Sequence, residues 1–211
     1  MAAEETRLQI LRAAERLFAE HGVDAVSLRQ VSVAAGQRNT SATQYHFQDK
    51  QGLVEAVLWR HSEAIQRQWE MTLDTLEGET ISIPALVALL VRPLAAKLQD
   101  EDGGWEYVTL CVQLLAHPTM PLTQTRSATA AAPRRVMGRV IAETGIAPAL
   151  VPLRALRVTS LIYQSIHTYG NLARRGVAPV SFDLFVSDLI DSVTAVFCQP
   201  PSDATRELLV V

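Results

Sequence analysis

Between Ser27 and Lys50 the chain gathers side chains that donate and accept hydrogen bonds: Ser27, Arg29, Arg38, Asn39, Thr40, Thr43, Gln44, Tyr45, His46 and Lys50. Arginine pairs with the acceptors on a guanine edge, asparagine and glutamine pair with adenine, and lysine, serine, tyrosine and histidine reach phosphate oxygens. The set is suited to reading a DNA groove. Other chemistries find little to use. There is no phosphate-cradling Gly-rich loop, no His or Cys cluster at metal-ligand spacing and no recognisable nucleophile motif, and the five histidines are scattered. No catalytic activity, metal or cofactor is expected.

These side chains need rigid elements behind them. From Glu4 to His21 the apolar residues Ile10, Leu11, Ala14, Leu17 and Phe18 recur at helical intervals, with Arg7, Arg12, Glu15, Arg16 and Glu20 on the other faces; Gly22 stops this helix. Ser27 and Gln30 form a capping-box pattern that opens a short helix striped by Leu28, Val31 and Ala35 and ended by Gly36. Ser41 and Gln44 repeat the spacing. Asp49 then caps a longer helix, in which Leu53, Val54, Val57, Leu58, Ile65 and Trp69 keep the period to about Thr75. Two short helices joined by a glycine-containing turn have the shape of a helix-turn-helix. Ala42 and Phe47 would anchor the second of them, leaving Arg38, Asn39, Thr40, Thr43, Gln44, Tyr45 and His46 to face outward.

Three segments resemble the N-terminal domain of tetracycline-repressor-type (TetR family) regulators: LRAAERLFAEHG from Leu11, SLRQVSVAAG from Ser27 and YHFQDK from Tyr45. The resemblance covers roughly the first quarter of the chain. It implies that Tyr45, His46 and Lys50 contact phosphates, that Ser27 and Arg29 clamp the neighbouring backbone, and that Arg38, Asn39, Thr43 and Gln44 read bases. The turn from Gly36 to Tyr45 is one residue longer than is common in the family, and Gln44 stands where an aromatic residue is frequent.

Each residue also has a plainer reading. His46 alone is an ordinary packing or surface histidine, Tyr45 a core tyrosine with its hydroxyl at the surface, and Arg29 a partner for Asp24 or Glu20.

The 211 residues are 48% hydrophobic and 19% charged, which excludes a disordered acidic or basic tail protein. A net charge of −3 argues against indiscriminate nucleic-acid binding, but leaves room for a local positive patch at Arg29, Arg38 and Lys50. Cys111 and Cys198 read as small core residues rather than a zinc site, which fits a reducing cytoplasm. No export signal is expected at the polar, acidic N-terminus. The apolar stretches 83–98 and 150–172 are interrupted by Arg92, Pro93 and Lys97, and by Arg154, Arg157 and His167, so neither makes a membrane span.

After a break at 77–83, further helices are expected over 84–98, 105–116, 123–144, 152–174 and 182–197, and no strand. The Ala-rich piece from Ser127 to Ala132 reads as helix with a kink or restart at Pro133, or as a loop. The expected architecture is all-α: a three-helix DNA-binding domain over 1–50, joined by a long fourth helix to a helical effector-binding and dimerisation domain over 51–200, with a polar tail over 201–211.

For an effector the candidates are Trp69, Trp105, Tyr107, Cys111, Met137, Tyr163 and His167, each of which is equally an ordinary core residue. Tyr163 and His167 share a helix face with Leu156 and Ser160. The last two helices are apolar on more than one face, through Val158, Leu161, Ile162, Leu172, Phe182, Phe185, Val186, Leu189, Ile190, Val193, Val196 and Phe197. That surplus points to a homodimer built on them. The expected function is a sequence-specific transcriptional regulator, a repressor released from a palindromic double-stranded DNA operator by a small apolar or amphipathic effector. The alternative is a helical adaptor acting through protein–protein contacts.

Overall fold

A computed structural model describes residues 2–37, 41–76 and 78–209. Eleven α-helices and three short 3-10 turns make up the regular structure, with no strand among the described residues. They sort into two compact units, 1–68 with 96–130 and 69–95 with 131–211.

The first unit is built on α1 (Ala2–His21), whose Ile10, Leu11, Ala14 and Phe18 are buried. Gly22 adopts a φ of 85° and its N–H bonds to the Phe18 carbonyl, the left-handed stop that glycine tolerates best. Glu15 is only 2% exposed, which corrects its assignment to the polar face. The second helix, α2 (Leu28–Ala34), begins with the expected capping box: Gln30 N–H donates to Ser27 Oγ at 3.3 Å, and Ser27 N–H donates to Gln30 Oε1 at 2.8 Å. Then come α3 (Ser41–Phe47) and α4 (Lys50–Thr75). Helix α4 is capped as expected, with Gly52 N–H donating to Asp49 Oδ1 at 2.7 Å, and buries Leu53, Val54, Val57 and Leu58.

The first unit also contains α6 (Gly104–Leu114), which packs on α1, and α7 (Arg126–Thr129). Arg126 lies over the Trp59 ring at 3.6 Å and Ser127 Oγ is 2.7 Å from Ser62 Oγ, so the 122–130 strap is fixed to α4.

The second unit holds the end of α4 from Trp69, α5 (Ile83–Ala95), α8 (Ala131–Thr144), α9 (Val151–Arg174), α10 (Phe182–Cys198) and α11 (Asp203–Leu208). The Ala-rich piece restarts as helix at Ala131, with Ala130 extended at ψ 164°; Pro133 then sits in the first turn of α8, where its missing N–H costs no helical bond. The tail expected to be merely polar carries α11, capped by Ser202 through Thr205 N–H at 3.3 Å.

Helix α10 packs against α5 and α9 and buries Val186, Leu189, Ile190, Val193 and Phe197. Much of the apolar surplus of the last helices, Val158 and Ile162 included, is therefore consumed inside the subunit. Arg154, 8% exposed near the start of α9, donates from Nη1 to the Phe197 carbonyl at 2.6 Å and from Nη2 to that of Gln199. This guanidinium satisfies carbonyls that α10 leaves unpaired at its C-terminus. No helix of the described residues is long and apolar enough to cross a membrane.

Candidate nucleic-acid interface

Helices α2 and α3 belong to one packed unit with α1, and the end of α3 is fixed by its apolar side. Phe47 is buried, with the Arg7 guanidinium 5.5 Å from its ring centroid. The preceding residues turn away from that anchor. Tyr45 is 86% exposed, Gln44 is exposed, and His46 is half-buried with its ring edge-on to Tyr45 at 5.4 Å. A tyrosine left so bare gains nothing from burial, so its ring and hydroxyl are available to a partner.

The chain passes from α3 to α4 through a tight corner. Gln48 takes a φ of 63°, and a Cβ on Gly52 would lie 2.2 Å from the Phe47 carbonyl oxygen. Glycine at 52 is what allows the first turn of α4 to close over the end of α3.

Lys50, half-buried at the start of α4, donates from Nζ to the Asp24 carbonyl at 3.0 Å. Its ammonium is thereby held beside the turn that leads to Ser27. Arg29 is exposed and makes no ion pair among the described residues; Asp24, its suggested partner, is met by His117 instead. Arg38, Asn39 and Thr40 lie outside the described residues, as does the side chain of Thr43. Of the sequence-derived set, the structure therefore ties Lys50 to the Asp24 turn and leaves Ser27, Arg29, Gln44 and Tyr45 open to solvent.

Two constellations that brace this region were not foreseen. In the first, Arg60 Nη1 donates to both oxygens of buried Glu15, at 2.8 and 3.0 Å, and Nη2 pairs with Asp102. His61, 3% exposed, places Nε2 at 3.1 Å from Glu15 Oε1, and Lys97 Nζ stands 3.5 Å from its Nδ1. The hydrogen bond from Arg12 holds the Asp102 carboxyl below the usual range, and that from Lys97 does the same for Asp100.

In the second, the end of α6 grips the end of α1. Gln113 Nε2 donates to the Phe18 carbonyl at 2.8 Å while its Oε1 accepts from Val23 N–H at 3.0 Å. His117 Nε2 lies 3.2 Å from Asp24 Oδ1, and its Nδ1 accepts from Met120 N–H at 3.1 Å.

Residues 10–57 match the family model described as "Bacterial regulatory proteins, tetR family". That span runs from the core of α1 through both short helices into α4 and contains the Lys50–Asp24 contact and the Gly52 corner. The chain carries a TetR-family segment there. It is 33% identical over 100 residues to the HTH-type transcriptional regulator AcrR of Shigella flexneri, a match covering 47% of this chain and 45% of that protein. The chain thus aligns with about half the length of that curated relative.

Solved TetR-family structures extend the likeness in fold. A transcription regulator from Marinobacter aquaeolei VT8 superposes with a TM-score of 0.59 at 16% identity, covering 92% of this chain and 95% of the other. Mycobacterium smegmatis AmtR gives 0.53 at 21% identity, covering 95% and 89%.

The effector candidates separate between the two units. Trp105, Tyr107 and Cys111 belong to the first unit, where Tyr107 and Cys111 are core residues and Tyr107 lies 5.0 Å from His61, ring to ring. Trp69, Met137, Tyr163 and His167 belong to the second. Trp69 is buried and its indole N–H donates to the Leu89 carbonyl. Tyr163 and His167 are half-buried on a face that continues to half-buried Ser160 and exposed Leu156, so it is half-open rather than walled in. Burial lowers the pKa of His167 and favours its neutral ring.

Two grooves open within the units. One of about 670 Å³ is lined by Glu4, Leu8, Trp59 and Glu63 among others, and one of about 570 Å³ by Leu73, Arg135, Gly138 and Arg139 among others; neither includes an effector candidate.

Proposed function

We propose that the chain is a sequence-specific DNA-binding transcriptional regulator, working as a homodimer on a palindromic double-stranded operator. One observation carries this reading: within the matched 10–57 span, Tyr45 stands 86% exposed near the end of a short helix whose last residue, Phe47, two positions on, is anchored in the core. A side chain held out by a rigid support is what groove recognition requires. Tyr45, His46 and Lys50 then contact phosphates, Ser27 and Arg29 clamp the adjoining backbone, and Arg38, Asn39, Thr40, Thr43 and Gln44 supply base readout and further contacts.

The exposed apolar residues Leu153 and Leu156 on α9 and Leu184 on α10 support dimerisation through the last two helices. A two-fold dimer reads half-sites about 10 base pairs apart or somewhat more. The same architecture suits repression relieved by a small apolar or amphipathic effector, for which the half-open Tyr163–His167 face is the favoured contact. Work on chromosomal DNA puts the protein in the cytoplasm.

The test is selection of bound fragments from a random duplex library, followed by anisotropy titration of the enriched duplex with wild type and a Tyr45→Ala, Lys50→Ala double variant. Tight binding of a palindrome, lost in the variant and weakening steeply with salt, is expected. No enrichment at moderate salt favours the adaptor reading.

A further inference from the structure

Helix α8 has two unlike faces. Val136 and Val140 are buried in the second unit, whereas Arg135, Gly138, Arg139, Ala142 and Glu143, spaced by three and four residues, line the groove of about 570 Å³. Glycine is among the least favourable residues inside a helix and is accepted where some group must pass close to the backbone. At Gly52 that demand comes from the chain itself, through the Phe47 carbonyl. At Gly138 it does not, because a Cβ there would meet no atom within 4 Å. The groove is left with a stretch of bare helix backbone. Two guanidiniums bracket it. Arg139 donates from Nη1 to the Leu76 carbonyl at 3.2 Å and from Nη2 to the Glu79 carbonyl at 2.8 Å, using two of the five N–H donors a guanidinium carries. Carbonyls orient the group without cancelling its charge, and Arg139 makes no ion pair among the described residues. Arg135, one turn away, is held by Asp74 at 2.8 Å.

We propose that this groove binds a small planar carboxylate, with Arg139 taking the carboxylate and the flat body lying on the backbone at Gly138, against Leu73 and Ala142. The guanidinium fork matches the two oxygens of a carboxylate, and its orientation is already fixed by the Leu76 and Glu79 carbonyls. A thin ring is what can use the space that a missing Cβ leaves, and buried Leu73 and the methyl of Ala142 give that ring an apolar lining. Glu79 and Glu143 share the groove and Asp74 already engages Arg135, so the site suits one negative charge and not several. Its volume lies within the range of small-molecule pockets. The lining includes neither Tyr163 nor His167, so this site is separate from the effector face suggested above, and it does not depend on the regulator reading.

The experiment titrates the full chain with 2-naphthoate, a fluorescent probe, and with 2-naphthamide, which has the same ring without the charge. Wild type should bind 2-naphthoate saturably, with a dissociation constant on the order of 1 mM or tighter for a ligand of this size, and the Gly138 amide resonance should shift as the site fills. The amide should bind at least about tenfold more weakly. Gly138→Ala should weaken 2-naphthoate about tenfold and Gly138→Leu more, while both variants keep or raise the wild-type melting temperature. Arg139→Gln should erase the preference for the acid over the amide, and Arg139→Lys, which keeps the charge but not the fork, should fall between. His167→Gln should leave the affinity unchanged.

No saturable binding of 2-naphthoate at about ten times that concentration overturns the proposal, as does equal affinity for acid and amide. Wild-type affinity in both Gly138 variants, or saturation without a shift at Gly138, places the probe elsewhere and overturns the site. A loss in His167→Gln as large as that in Gly138→Ala assigns the probe to the Tyr163–His167 face instead. None of these outcomes involves DNA, so the groove and the regulator reading stand or fall separately.

Discussion

One nitrogen of Arg60 reaches both carboxylate oxygens of Glu15, at 2.8 and 3.0 Å, where the carboxylate is 2% exposed. Buried and paired, the two charges tolerate each other's company; separated, they do not. Arg60→Leu leaves Glu15 in the core with only His61 and should cost about 3 kcal/mol. Urea unfolding of the variant measures it, and the Arg60→Leu, Glu15→Leu double variant should recover most of the loss. A double variant as unstable as the single one would place the effect elsewhere than in the pair.

The α3–α4 corner makes a sharper demand. A Cβ at position 52 would stand 2.2 Å from the Phe47 carbonyl oxygen, a backbone atom that cannot step aside without moving the end of α3. Gly52→Ala should destabilise by about 2 kcal/mol or more, although alanine is otherwise the better helix former. Thermal melting beside Gly138→Ala, where the added Cβ meets nothing within 4 Å, provides the contrast: that change should be neutral or stabilising.

Burial holds His167 below its ordinary pKa, so the unfolded chain takes up a proton more readily than the folded one. The stability this gives is present above the ordinary value of 6.5 and is lost as pH falls through the lower folded value. Melting temperature should therefore drop between pH 7.5 and 5, and His167→Gln should flatten that part of the profile. An unchanged slope in the variant would sink this assignment.

At the end of α10, Arg154→Met removes the donors to the Phe197 and Gln199 carbonyls but keeps much of the side-chain volume. Hydrogen bonds from a charged group to buried acceptors are worth about 2 kcal/mol, and a loss of that size is expected in chemical unfolding. Arg157→Met, on the exposed side of α9, should change little.

The helices themselves were legible because each announces its ends. Ser27 with Gln30, Asp49 with Gly52 and the stop at Gly22 are local signals, and the stripe from Leu53 to Leu58 needs only the helical period. Glu15 was assigned to solvent because periodicity treats a charge as polar, whereas its partner Arg60 stands 45 residues away. Gln113 is more distant still from Phe18, by 95 residues, and nothing near either position hints at the pairing. The apolar excess of α10 was legible as an amount but not as a destination: α5 takes much of it, leaving Leu184 on α10 and Leu153 and Leu156 on α9 to face outward. Aromatic and polar residues on apolar helices suit an effector pocket and core packing equally, as the buried Tyr107 and Trp69 illustrate.

The first unit is assembled from two stretches of chain, 1–68 and 96–130, and residues 69–95 of the second unit come between them in the sequence. On the ribosome, α1 to α3 emerge well before α6, and until then the Phe18 carbonyl and Val23 N–H lack their Gln113 bridge and Arg60 lacks Asp102. The reading head is thus finished only past the midpoint of translation, after α5 has already appeared. An excised N-terminal fragment ending at Gln68 would be an incomplete body, not a miniature of the DNA-binding half.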